Sequence, residues 1–293
     1  MIPVTSSVIC DGAIAVLKRA LVAPFLASRI WDRDPFCVDL VRCAKCGFLF
    51  YNPRLDDEEL RRLYQDYRLE EYLRQRHASE PWYTAKFNEE LASLASYEMR
   101  RSQLRQILKR HVGSRKIARI LDYGGDRGDL VAGLIEGAEA FVYDISGVVA
   151  AEGVRSVKDP AECKADLIIN SNVLEHVGFP KLLVAEMLMV APPGSLIYLE
   201  VPAEVPWGLS RLVRRFAQTI IMSVAHPPLV RHILRPASLY MMHEHINYYT
   251  EASLASLLSL SGARVIGSGV YASSGRYGTA DMAWCLGLAT NDP

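Results

Sequence analysis

Short apolar runs closed by turn residues alternate with longer mixed segments through the second half of the chain. Ile117, Ile120 and Leu121 enter Asp122-Tyr123-Gly124-Gly125-Asp126-Arg127-Gly128, after which Leu130 to Ile135 carry a helix-like pattern. Ala140-Phe141-Val142-Tyr143 closes on Asp144. The run from Asp166 to Asn172 leads into Val173-Leu174-Glu175-His176-Val177, and Ser195 to Pro202 follows the turn Pro192-Pro193-Gly194. Runs of this length between turn signals read as buried strands, and the segments between them as helices. Thr250 to Ser261 reads as a further helix, with Ala263 to Gly267 and Asp281 to Leu288 as the last two strands. Such alternation predicts a parallel α/β sheet. Upstream, residues 84–112 read as a long polar helix with apolar positions at Leu91, Leu94, Leu104, Ile107 and Leu108.

The glycine turn carries the first chemical signal. A strand that turns on glycines into a helix leaves a notch the size of a nucleotide, where backbone can approach a ligand and the helix can pack on the strand. The second signal is Asp144, 22 residues after Asp122. An acid closing the second strand of a doubly wound sheet can accept hydrogen bonds from both hydroxyls of a ribose. The turn is spaced G-G-x-x-G rather than the G-x-G-x-x-G of dehydrogenases.

Taken together, residues 115–290 resemble the class I S-adenosylmethionine (SAM) dependent methyltransferases. That family has a glycine-rich loop after strand one, an acid ending strand two, a Leu-Glu-His segment after strand four and a Pro-Gly turn before strand five. The resemblance implies a doubly wound, seven-stranded Rossmann-like sheet with a final antiparallel strand. It also implies that Asp122, Gly124, Gly125, Asp126, Gly128, Asp144, Ile145, Asp159, Ser171 and Asn172 bind SAM. Asp126 stands where the family usually has glycine. It reads either as the N-cap of the following helix or as a partner for the cationic amino group of the methionine moiety. Glu175 and His176 are expected on the first turn of a helix, where a histidine is usually structural.

Lys plus Arg equals Asp plus Glu at 33 each, and half of the 293 residues are hydrophobic, a soluble globular composition. The neutral balance lacks the broad basic surface that nucleic-acid binding normally needs, so no nucleic-acid partner is expected. No apolar run reaches 18 residues, and Met1 to Gly12 lacks a signal-peptide pattern, so a cytoplasmic protein is expected. In that setting the six cysteines suit metal ligation or free thiols better than disulfides.

Four of those cysteines lie in the first 75 residues. Cys43-Ala44-Lys45-Cys46-Gly47 is half of a zinc knuckle, two thiolates on a tight turn. With Phe48 to Pro53 and Leu60-x-x-x-Tyr64-x-x-Tyr67, it resembles the zinc-binding module preceding some bacterial sugar methyltransferases. There a second Cys-x-x-Cys lies upstream; here the equivalent stretch is Ser7-Val8-Ile9-Cys10, so one ligand position is serine. Cys37 shares one face of an extended strand with Cys43 and is the candidate fourth ligand. The expected set is therefore Cys10, Cys37, Cys43 and Cys46, holding a structural zinc; the other reading is a decayed site whose cysteines merely pack. The expected organisation is a zinc-binding module over 1–75, connecting helices over 76–114, and a SAM-binding methyltransferase domain over 115–293.

Methyl transfer from a sulfonium mainly requires alignment, with removal of a proton where the acceptor needs it. The stretch Tyr240 to Tyr249 supplies the best bases outside the glycine turn. It is similar to a segment of nucleotide-sugar C-methyltransferases, which implies His245 as base and Glu244 as its partner or as a sugar ligand; many relatives use this stretch as a lid and fold element. The chain ends shortly after its last strand, without the extra C-terminal half of those enzymes, so O-methylation of a sugar or another small hydroxyl compound is an equal expectation. An RNA methyltransferase and a non-catalytic partner protein are the competing readings.

The insert 205–243 contains no acid but includes Arg211, Arg214, Arg215, Arg231 and Arg235. Leu212, Val213, Phe216, Ile220 and Ile221 alternate helically with these arginines. The segment reads as a helical lid, as a diphosphate site through Arg214, Arg215 or Arg231, or as a peripheral membrane contact over 208–235.

Overall fold

The computed structural model describes residues 1–67, 69–84, 86, 94–204, 209–232, 235–275 and 278–290. Two compact units emerge. The first comprises Met1–Leu91, Glu175–Gly178 and Glu204–Tyr248; the second comprises Ala92–Leu174, Phe179–Ala203 and Tyr249–Pro293.

In the first unit, strands β1 (Ile14–Val22), β2 (Cys37–Cys43), β3 (Leu49–Asn52), β9 (Met241–Met242) and β10 (Asn247–Tyr248) form a sheet ordered β10-β3-β2-β1-β9. Its helices are α1 (Pro24–Trp31), α2 (Asp57–Tyr64), α3 (Glu70–Ser79) and α6 (Leu209–Ala225). Helix α2 begins at a reciprocal cap: the Asp56 side chain accepts from the Glu59 amide while the Glu59 side chain accepts from the Asp56 amide. The core gathers Leu21, Phe25, Leu26, Leu40, Tyr51, Leu63 and Tyr72. The described residues of 76–91 and of the insert 205–243 belong to this unit.

Buried Arg54 ties the short segment Glu175–Gly178 into the first unit. Its Nε donates to the Gly178 carbonyl at 2.8 Å, and one Nη donates to the Val177 carbonyl at 3.0 Å and to Asn247 Oδ1 at 2.6 Å. Gly178 passes so close to Leu55 that a Cβ there would lie 2.1 Å from the Leu55 carbonyl oxygen. Glu175 and His176 consequently sit in a turn. The next helix, α5, starts only at Pro180 and runs to Val190.

The second unit contains a seven-stranded mixed sheet ordered β11-β12-β8-β7-β4-β5-β6. Its strands are β4 (Arg119–Tyr123), β5 (Glu139–Tyr143), β6 (Val154–Ser156), β7 (Leu167–Ser171), β8 (Leu196–Pro202), β11 (Ala263–Gly275) and β12 (Gly278–Ala289). Strands β4 to β8 pair in parallel, and β12 runs antiparallel to both its neighbours. The continuous apolar character of β4, β7 and β8 follows from burial on both faces. Of the helix expected over 84–112, Leu94–Val112 form α4; residues 85 and 87–93 lie outside the described residues. Helix α7 (Glu251–Leu260) is capped by Thr250, whose hydroxyl accepts from the Ser253 amide.

The helix expected directly after the glycine turn does not form. Residues 126–137 are a chain of turns, closed by bonds such as Val131 N to Gly128 O and Leu134 N to Val131 O. Gly128, Gly133 and Gly137 have φ of 76°, 64° and 74°, and a left-handed residue every few positions stops helical propagation. The carbonyls left over are taken by side chains from α4: Arg101 donates to Asp129 and Ala132, and Arg105 to Gly133 and Leu134.

Candidate active site

In the second unit, the carboxyl ends of β4, β5, β7 and β8 bring the glycine turn together with Asp122, Asp126, Asp144 and Glu200. Asp122 is buried, and Gly125 lies against it so tightly that a Cβ at that position would sit 2.1 Å from Asp122 Cγ. Gly124, at φ 81°, places its missing Cβ 2.9 Å from Val173 Cγ2. Close approach thus requires both glycines, and the left-handed backbone adds to the requirement at Gly124. Burial raises the Asp122 carboxyl to about 7; Asp144, Glu200 and Asp126 push the same way, and Arg100 opposes them. Asp122 Oδ1 is buried with no hydrogen-bond partner among the described residues.

Asp144 ends β5 and shapes the turn directly. Its Oδ2 accepts from the Asp126 amide at 2.8 Å and its Oδ1 from the Ser146 amide at 2.8 Å. A carboxylate offers about four lone-pair sites, so two remain for a ligand. Asp126 has φ 56° and no helix to cap, which removes the N-cap reading. Ile145 is 85% exposed. Asp159 caps a short 3₁₀ turn through the Ala161 amide. Asn172, also left-handed at φ 57°, donates its amide to the Glu200 carbonyl.

Sequence reading missed the group on which Ser171 rests. Glu200, buried on β8, accepts from Arg100 Nε at 2.8 Å and Nη at 2.6 Å, and from the hydroxyls of Ser171, Tyr198 and Tyr271 at 2.8, 2.8 and 2.7 Å. Arg100 also reaches Ser171. Despite burial, these donors hold the Glu200 carboxyl below its ordinary range. Its sequence signal was a lone acid inside an apolar strand, which requires a buried partner.

The first unit holds a second polar constellation. The rings of His176 and His245 pack edge to face with centroids 4.8 Å apart. His176 Nδ1 lies 2.8 Å from the Tyr64 hydroxyl and 3.1 Å from the Glu244 carbonyl, and His245 Nδ1 lies 3.4 Å from Glu204 Oε2. Burial and the neighbouring His245 depress His176 to about 3. Burial also disfavours the His245 cation, but the bond to Glu204 and the fields of Glu175, Glu204 and Glu244 outweigh it and raise His245 above the usual histidine value. Its side chain remains 34% exposed.

Glu244, expected beside His245, turns away from it. Its Oε1 accepts from Tyr72 at 2.6 Å and pairs with Arg76 at 2.5 Å, because the two side chains leave an irregular segment in different directions. The acid facing His245 is Glu204, distant in sequence and therefore missed. His176, set aside as structural, stands beside His245. His243 Nδ1 is held by Glu80 Oε1 at 2.9 Å.

At the amino end, Cys10, Cys43 and Cys46 have sulfurs within 4.8 Å of one another, with Cys10 Sγ 3.4 Å from Cys43 Sγ. Ser7 Oγ lies 4.0 Å from Cys46 Sγ at the fourth corner. The amides of Lys45 and Cys46 point at Cys43 Sγ, and with the Cys10 and Ser7 hydrogen bonds they offset its burial and bring this thiol down to about 7. Burial and the neighbouring sulfurs push Cys46 up to about 12. Cys37 is not part of this cluster. It occupies the opposite end of β2, paired with Leu21, six residues or about 20 Å from Cys43 along the strand. Sharing a strand face does not bring two residues together along its axis.

Comparison with known proteins accounts for the second unit. Residues 94–267 match a family model described as a methyltransferase domain. No curated protein matches. Among solved structures, the 1,6-didemethyltoxoflavin-N1-methyltransferase of Burkholderia thailandensis, with 1,6-didemethyltoxoflavin and S-adenosylhomocysteine bound, is 16% identical. That alignment covers 87% of this chain and 96% of that one at a TM-score of 0.50. The SAM-bound magnesium protoporphyrin IX methyltransferase of Synechocystis PCC 6803 is 14% identical over 80% of this chain and 99% of that one, at a TM-score of 0.46. Strand order, glycine turn, acid-tipped β5 and a family match over more than half the chain lead to one conclusion: the chain belongs to the methyltransferase-domain family, as a class I SAM-dependent methyltransferase.

Proposed function

We propose that this protein methylates a small hydroxylated metabolite, a sugar or nucleotide-sugar, with the residues of the glycine turn binding SAM and His245 as the proton acceptor. The residues of the glycine turn suit the cofactor. Asp122 Oδ1 is a buried acceptor with no partner among the described residues, matched to the ammonium of an amino acid, and Gly124 and Gly125 leave room that a Cβ would fill. Asp144 offers its remaining lone pairs to the ribose hydroxyls. Asp159, Ile145 and Asn172 are the proposed boundary of the adenosine site, with Ser171 braced by Glu200 beneath it. Bound SAM supplies a methyl carbon on a sulfonium; the chain's contribution is alignment and a proton acceptor.

The observation that carries the acceptor side is the pairing of His245 with Glu204. A carboxylate on Nδ1 fixes the imidazole orientation and leaves Nε2 as the base. Glu244, held by Tyr72 and Arg76, supports the frame of this segment. The proposed zinc is structural. Sulfurs around a tetrahedral Zn²⁺ at about 2.3 Å lie about 3.8 Å apart, close to the cysteine spacing here, with Ser7 or a water at the fourth corner. Incubating the purified enzyme with labelled SAM and a panel of nucleotide-sugars and free sugars tests the acceptor class. Transfer to a sugar supports it, and transfer confined to RNA or to no small molecule rejects it.

A further inference from the structure

Helix α6 presents the wrong side to water. At about 100° per residue, its exposed apolar positions Val213, Phe216, Ala217, Ile220, Ile221 and Val224 occupy one arc of about 140°, with exposed Arg214 at the edge of that arc. Val224 is 84% and Val213 61% exposed. The side turned inward is the more polar one. Thr219 and Ser223 are buried there beside Met222, their hydroxyls returned to the backbone at Arg215, Ser238 and Thr219. A helix that only closed a core would face the other way round. From Val213 to Val224 the stripe is about 18 Å long, far above the scatter of single exposed apolar residues normal on a surface.

We infer that α6 docks this protein on an anionic lipid surface, with the Val213–Val224 stripe at the acyl boundary and Arg214 at the headgroups. Charge selects this occupant. The stretch from Val205 to His243 contains five arginines and no acid or lysine, and Arg214 borders the stripe on the exposed side. An apolar face bordered by Arg214, on a segment without acids, matches the apolar–anionic layering of a lipid interface. A second copy matches it poorly, because the insert carries no acid that could pair with the other copy's arginines. Among the described residues no helix is long and apolar enough to cross a membrane, so the helix lies on the surface. The inference rests on α6 alone and is independent of the acceptor assigned above.

Flotation of the full chain with two vesicle types tests it: pure phosphatidylcholine, and phosphatidylcholine with 40 mol% phosphatidylglycerol. The expected result is partitioning to the anionic vesicles, strongly reduced in 0.5 M NaCl. Phe216→Asp with Ile220→Asp should weaken it about tenfold or more, and Arg214→Gln about fivefold. These side chains are exposed, so the variants should melt with the wild type; the Arg214→Gln arm still reads the proposal if the Asp pair misfolds. Equal binding to both vesicle types, or none, overturns the inference. So does a dimer in light scattering that the Asp pair dissolves, which would assign the face to a second copy.

Discussion

Replacing Asp122 by Asn removes a carboxyl that burial holds near 7 in the folded protein, against 3.8 for the free side chain. The folded pKa is raised, so the stability linked to this group is fully present below about pH 4 and is lost as pH rises through 7. A gap of about three units corresponds to about 4 kcal/mol once the pH exceeds both values, at about 1.4 kcal/mol per unit. Between pH 5 and pH 8 the wild type should lose about 2–3 kcal/mol through Asp122, and Asp122→Asn should not. Comparing the two proteins by urea denaturation at several pH values subtracts the remaining titrating groups. At about 2–4 °C per kcal/mol, the variant's Tm should gain about 5–10 °C on the wild type across that interval. The same substitution should nearly abolish SAM binding in calorimetry, since a neutral amide cannot pair with the ligand ammonium. Wild-type affinity should improve as pH rises through 7. A pH-independent stability difference would refute the burial argument, and retained affinity would refute the role proposed for Asp122.

Gly125→Ala should weaken SAM binding about tenfold or more in the same assay, because its methyl group collides with the Asp122 carboxylate. Arg100→Met should destabilise the protein by about 3–5 kcal/mol in denaturant titration, since it leaves Glu200 charged and buried among hydroxyls alone. His245→Ala should reduce turnover about 10²- to 10⁴-fold with SAM affinity unchanged. Wild-type turnover should rise with pH through a value above that of an ordinary histidine, because only the neutral ring accepts a proton; Glu204→Gln should move that rise to lower pH. Metal analysis should find about one zinc per chain, lost in Cys43→Ser and retained in Cys37→Ser.

Strands β4, β7 and β8 were legible in the sequence because they are buried on both faces and must be written as apolar runs. The exposed edge strand β6 carries no such run, and only the family resemblance implied a seventh strand. The glycine turn and Asp144 were equally legible, since close backbone approach admits few residue types and the acid must end a strand. Local pattern also places Cys43 and Cys46 on one turn and a histidine-rich stretch before α7. Tertiary structure decided the rest. The apolar period after Gly128 suggested a helix, but left-handed glycines and carbonyl-capturing arginines from α4 made turns instead. Cys37 and Glu244 were near their expected partners in sequence and far from them or turned away in space. Glu204, Arg100 and Glu200 acquire their roles only through partners 41 to 100 residues away. The stripe on α6 was visible as a helical pattern, but which side meets water was set by the packing of Thr219, Met222 and Ser223. Periodicity is a property of neighbours along the chain, whereas ion pairs and exposure depend on which distant segments fold against them.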